Sequence, residues 1–195
     1  MDIGNLLLIS VGAILINNIV LSKFLGLCPF LGVSKQLDSA LGMSMAVVFV
    51  MTMASAITHL LFNYVLIPLQ LEWLETIAFI IVIASFVQLV EIIIQKISPP
   101  LYETLGIYLP LITTNCAILG IAEINTIKES YNFIESIVNG FATGIGFTVA
   151  LLLIAGLRER LDYADIPKSL RGLPIAFIVA GLMSLAFLGF SGLSF

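Results

Sequence analysis

The chain has 195 residues, of which 60% are hydrophobic and only 10% charged, with a mean hydropathy of +1.16. A soluble domain of this length cannot hide so much apolar surface, so the composition excludes a water-soluble globular protein. The net charge of −4 says little about partners, no nucleic-acid partner is expected, and two cysteines are too few for a disulfide framework.

A helix needs about 20 apolar residues to cross the hydrocarbon core of a bilayer. Six segments meet that length. The first, 3–22, starts without a basic leader or a small-residue cleavage site, so Met1 onward reads as mature chain. A stretch at 23–38 follows, with Lys23, Gly26, Pro29, Gly32 and Lys35 around "FLGLCPFLG" (24–32). The second span, 39–61, carries the single histidine, His59, expected near an interface. After it "IPLQLEWLE" (67–75) brings Trp73, which with Tyr64 suits the headgroup level. The third span, 74–95, holds Gln88 and Glu91 one turn apart on the same face. An ionisable residue inside a span is a candidate for an ion or proton path. Its position one turn from Lys96 favours a solvated or paired boundary group instead.

"QKISPP" (95–100) leads into the fourth span, 100–121, which contains "TTNCAILG" (113–120). "AEINTIKES" (122–130) precedes the fifth span, 134–157. There Gly140 and Gly144 form a G-x-x-x-G, a pattern that favours close helix packing. Asn17, Asn18 and Asn139 read as hydrogen-bonding glue between helices. The longest charged loop, "RERLDYADIPKSLRG" (158–172), reads as a docking surface for a cytoplasmic redox protein, because its interleaved acids oppose simple attraction to anionic lipid. The sixth span is 173–194.

With six spans, the first, third and fifth loops share a side and hold Lys23, Lys35, Lys96, Arg158, Arg160, Lys168 and Arg171, against Lys128 opposite. The positive-inside rule makes that side cytoplasmic and puts both termini outside. The fold expected is an all-α membrane protein, one integral membrane domain over 1–195. Its six transmembrane helices fall into two three-helix repeats, about 1–97 and 98–195. Three spans per repeat force the second copy to be inverted. Superposing Cys28 on Cys116 matches C-x-x-L-G to C-x-x-L-G. Glycine and proline around both thiols mark the first and fourth helices as interrupted, and unwound backbone at that depth must be buried in protein or line a cavity.

Three readings of the thiols stand open: small buried hydrophobes, a disulfide, or soft metal ligands. Iron–sulfur clusters commonly take four cysteines. A cluster here therefore needs a second copy or a related chain for its other pair.

"LGLCPFLGVSK", "LGIYLPLITTNCAILG", "LRERLDYADIPKSLRG" and "GLMSLAFLGFSGL" resemble the RnfA/NqrE family of membrane subunits, almost end to end. The CPFLG motif favours the Rnf electron-transport branch over the sodium-pumping NADH:quinone oxidoreductase branch. The resemblance implies one component of an ion-translocating ferredoxin:NAD oxidoreductase in the bacterial inner membrane. It implies that Cys28 and Cys116 share a [2Fe–2S] cluster inside the membrane with two cysteines of a paralogous, RnfE-like subunit. The other partners would be Rnf subunits carrying flavin and iron–sulfur centres, and membrane lipid. Gly26, through its backbone N–H, and Thr113, Thr114 and Asn115 are candidate sources of hydrogen bonds to the cluster's sulfurs. No nucleotide-binding glycine loop, catalytic triad or zinc motif is present, so the chain alone is not expected to run a reaction. A small secondary transporter, a class also built from inverted repeats and broken helices, is the alternative.

Overall fold

The computed structural model describes residues 3–34, 36–97, 109–128, 131–165, 167 and 170–192. Every regular element among them is helical. The expected start of the fourth span (100–108), the inter-repeat boundary near 98, Lys35, Lys168 and the last three residues lie outside the described residues.

α1 (Ile3–Val11) continues through a wider π-helical turn, Gly12–Ile16, and stops at Asn17. The first span is thus shorter than the expected 3–22. A short helix, α2 (Leu27–Val33), follows the unwound stretch. α3 (Leu37–Leu61) runs on through a π-helical turn and a last α turn to Leu69, giving 33 residues without a break. α4 (Glu75–Ile97) is the second long apolar helix. α5 (Leu109–Thr113) and α6 (Cys116–Glu123) are separated by a break at Thr114 and Asn115, and α6 widens into a π-helical turn at Ile124–Lys128. α7 (Phe133–Asp162) and α8 (Leu173–Leu188) complete the bundle. Three helices, α3, α4 and α7, are long and apolar enough to cross a membrane; α1 and α8 are shorter apolar helices.

α7 is the most enclosed long helix and α4 the least. α7 packs along α3, and the glycines of the G-x-x-x-G make that approach possible. A methyl at Gly144 would lie 2.9 Å from the Val48 Cα, and one at Gly140 would press on Ser55 and stand 3.1 Å from the Met51 carbonyl. Glycine is required there by space, as the spacing anticipates. Asn139 and Asn125 join across this core at 2.6 Å, with Asn125 also donating to the Ser136 carbonyl at 3.2 Å. Outward faces carry Ile77, Ile80 and Ile81 on α4 and Phe177, Leu182 and Leu185 on α8. Such broad apolar surface is stable only against lipid or another apolar chain.

α7 begins with a reciprocal cap, in which Glu135 accepts from the Asn132 N–H at 3.0 Å. It ends later than the expected 157, so Arg158, Glu159 and Arg160 belong to the helix rather than to a loop. Arg158 is buried. It donates to the Leu31 carbonyl at 2.9 Å and to the Ser34 hydroxyl at 2.7 Å. A cation there satisfies carbonyl oxygen at the C-terminal end of α2 and opposes the negative end of that helix.

Candidate functional site

The site grows from two helix breaks. In the first, the backbone leaves helical geometry at Asn17 and needs new partners. Asn18 supplies them: its Oδ1 accepts from the Val20 N–H at 3.1 Å, and its Nδ2 donates to the Gly146 carbonyl on α7 at 2.8 Å. Asn18 is buried while Asn17 is exposed, so only one of the two asparagines acts as glue. Ser184 on α8 donates to the Leu21 carbonyl at 2.7 Å. The unwound segment is therefore clamped by α7 and α8 with its polar groups engaged, as buried irregular backbone requires.

Two residues in this segment take left-handed backbone geometry, Phe24 (φ 55°) and Gly26 (φ 82°). At Gly26 a side chain is also excluded by space. A methyl would stand 3.0 Å from the Ala117 Cβ, 3.1 Å from the Asn115 Oδ1 and 3.1 Å from the Phe147 ring. The turn at Gly26 opens α2, and Cys28 sits in its first turn. Pro29 follows without breaking the helix, because first-turn N–H groups have no intrahelical acceptor to lose.

The second break is tighter. The Thr114 and Asn115 N–H groups bond back to the Pro110 and Ile112 carbonyls, at 3.1 and 3.2 Å. Asn115 then caps α6, its Oδ1 accepting from the Ala117 N–H at 3.0 Å, which leaves Cys116 as the first residue of the helix. Gly120 gives room for Leu25 of the first break, whose Cδ1 lies 2.7 Å from where a methyl would be.

The two breaks meet. The Gly26 N–H donates to the Cys116 Sγ at 2.9 Å. Two residues of chain span at most about 7 Å, so the Cys116 sulfur lies beside the segment that carries Cys28. Both thiols are free and exposed on the surface of the chain. Among the described residues no group of three or more His, Cys, Asp or Glu side chains could hold a metal ion.

The other expected contributors separate. Asn115 is 4% exposed and its Nδ2 has no hydrogen-bond partner among the described residues. The Thr114 hydroxyl donates to the Pro110 carbonyl at 2.8 Å, within its own turn. Thr113 is half-buried in the last position of α5. His59 lies apart, its ring 5.8 Å from that of Phe133, in an open groove with Asn63, Tyr64, Tyr131 and Asn132 that contains no cysteine. Glu91 is half-buried on α4 and has no hydrogen bond or ion pair among the described residues. Arg158 and Ser184 could not be singled out from sequence, since their partners lie 127 and 163 positions away.

A bundle of apolar helices, with two clamped breaks that meet where the Gly26 N–H reaches the Cys116 sulfur, defines an integral membrane protein. The chain belongs to the family of Rnf-Nqr membrane subunits, whose family model matches residues 6–194. It is 60% identical to the A component of the Na(+)-translocating ferredoxin:NAD(+) oxidoreductase complex of Acetobacterium woodii over 188 residues, 96% of this chain and 97% of the relative. It is 59% identical to the A component of the ion-translocating oxidoreductase complex of Syntrophotalea carbinolica, with 97% of each chain covered. The corresponding component from Azotobacter vinelandii is 57% identical over 96% of this chain and 97% of its own. The chain is thus an Rnf-type membrane subunit.

Proposed function

We propose that this chain carries electrons through the membrane as the A component of an ion-translocating ferredoxin:NAD oxidoreductase. In this reading Cys28 and Cys116 supply two thiolates to a [2Fe–2S] cluster, and a paralogous membrane subunit supplies the other two. The observation that carries the reading is the Gly26 N–H on the Cys116 sulfur, which holds the two cysteine-bearing breaks together at the surface of the chain. The donor set fits the group. Thiolates suit iron–sulfur centres, and two exposed thiols make half of a four-thiolate site, one of them already accepting the Gly26 N–H.

When bound, the cluster supplies a one-electron stop that divides a crossing of about 30 Å of hydrocarbon. The protein's own tasks are to hold two sulfurs still, to direct N–H groups at them, and to keep water away. Clamping by Asn18, Ser184 and Arg158 serves the first, and the buried Phe147 ring against Gly26 serves the last. The pattern of a break followed by a short helix bearing a cysteine occurs twice, at α2 and α6, which supports an inverted pair of three-helix repeats. The asymmetry of basic residues supports a cytoplasmic 158–172 side and both termini outside an inner membrane. Subunits with flavin and iron–sulfur centres would deliver and remove electrons on the two sides.

The test is iron content and electron paramagnetic resonance on the purified complex. Cys28→Ser and Cys116→Ser should each abolish the same [2Fe–2S] signal without lowering membrane abundance, and the chain expressed alone should hold little iron. Wild-type iron and signal in either mutant would overturn that cysteine's assignment.

A further inference from the structure

Arg158 is a positive charge that the fold turns inward. It is 9% exposed, and Ile154 and Ala155, one turn earlier on α7, are buried with it. Its neighbours in sequence, Glu159 and Arg160, are exposed and line another groove with Gly156 and Tyr163. One guanidinium nitrogen, Nη1, makes both bonds to the end of α2, at the Leu31 carbonyl and the Ser34 hydroxyl. Among the described residues no carboxylate pairs with this charge. A buried charge is costly unless an opposite charge offsets it. The negative end of a seven-residue helix does so only in part. A carbonyl and a hydroxyl need no more than a neutral donor, so the two bonds leave the cation itself unexplained.

The helix that Arg158 holds also carries Cys28. Leu31 comes three residues after Cys28, and helix geometry then puts the guanidinium within about 13 Å of the Cys28 sulfur. Salt screens buried charges little, so a unit charge is felt over that distance. We infer that Arg158 is the buried counter-charge of the metal centre and holds its reduction potential up. The inference rests on the proposed shared site and goes beyond it by naming a residue outside both cysteine segments that tunes the centre. A cluster on four thiolates is a net anion, and the electron it accepts makes it more negative. A fixed cation nearby therefore stabilises the reduced form more than the oxidised one. Net charge and solvent exposure are among the factors that set iron–sulfur potentials. Arg158 is a positioning residue and not a ligand: it acts through its charge and through α2.

The experiment is a redox titration of the [2Fe–2S] paramagnetic signal in the purified complex, with dithionite and mediators and with iron content measured alongside. Arg158→Gln removes the charge and keeps a donor, whereas Arg158→Lys keeps a charge and loses the planar fork. Arg160→Gln removes the same charge from an exposed position on the same helix. Arg158→Gln should retain iron and the shape of the signal, and titrate at a lower potential than wild type. Arg158→Lys should recover most of that difference, and Arg160→Gln should titrate with wild type. Should Arg158→Gln lose iron, Arg158→Met supplies the uncharged side chain and decides. The inference is overturned if an iron-retaining uncharged variant keeps the wild-type potential, or if neither uncharged variant retains iron. It is equally overturned if Arg158→Lys or Arg160→Gln falls as far as the uncharged variants at 158. Cys28→Ser separates the two levels: a cluster signal that survives it overturns the site itself, whatever the Arg158 variants do.

Discussion

Asn17 and Asn18 are adjacent, identical in type, and read alike from sequence, yet only Asn18 faces the core. Asn18→Leu removes the acceptor of the Val20 N–H (3.1 Å), a weaker one for Leu21 (3.4 Å), and the cross-link to the Gly146 carbonyl (2.8 Å). Stranding the Val20 N–H in an apolar bundle costs about 1–3 kcal/mol. The cross-helix bond adds about 0.6 kcal/mol, the average for such bonds in membranes. Leucine returns little there, because lipid or detergent is as apolar as the bundle interior. The net loss expected is about 1.5–3.5 kcal/mol. It should be read as unfolding of the detergent-solubilised chain against increasing denaturing detergent. Asn17→Leu, exposed and without a side-chain hydrogen bond among the described residues, should stay within about 0.5 kcal/mol of wild type. If the two variants lose equal stability, or Asn18→Leu loses less than about 0.5 kcal/mol, the clamp described at the first break is not what holds it.

Gly144→Leu should destabilise by about 2 kcal/mol or more through overpacking against Val48, whereas Gly156→Ala, with open space around it, should be neutral or stabilising by up to about 1 kcal/mol; thermal unfolding in detergent measures both. Arg158→Gln should loosen α2, so that Cys28 reacts faster with a membrane-permeant maleimide while Cys116 does not; Arg160→Gln, at an exposed position, should change neither rate. Gly26→Ala should cost about 2–4 kcal/mol, from left-handed backbone plus crowding at Ala117 and Phe147, and should lower cluster occupancy in the intact complex.

Much of the architecture is legible in the sequence because a bilayer imposes few solutions. Long apolar runs must be helices, and they give α3, α4 and α7. Of the glycines and prolines around the cysteines only Gly26 lies at a break; Pro29 and Gly32 sit within α2, Pro110 within α5 and Gly120 within α6. What escapes is anything decided by a distant partner. Arg158 counts as a loop charge until α7 proves long enough to carry it back under α2. Thr113, Thr114 and Asn115 are equivalent as a string of polar residues, and only three dimensions reveal that Thr114 bonds to its own turn while Asn115 spans two segments. Gly32 and Gly120 match in the repeated motif, yet one faces open space and the other accommodates Leu25, so the same letters do different work in the two halves.

The distribution of buried polar groups bears on why the thiols face outward. Within the apolar bundle, Asn18, Ser184, Arg158 and Asn115 all engage or cap the two broken segments, each across a cost in desolvation that a plain helix would avoid. A fold selected only for stability would replace such groups with packed hydrocarbon. Their joint effect is to fix two short helices whose cysteines are held outward, with one N–H of this chain directed at a sulfur. On the proposed reading that arrangement has a thermodynamic consequence. A thiol becomes a metal ligand only by losing its proton, and a charged sulfur facing hydrocarbon without a metal is unfavourable. Metal binding and partner docking must therefore occur together, with release of both protons. Assembly then stabilises the chain by mass action, and the cluster itself becomes the fastener between the paralogous subunits. The lone chain should accordingly be the less stable state, and chelation of iron from the complex should weaken the contact between the subunits along with the electron path.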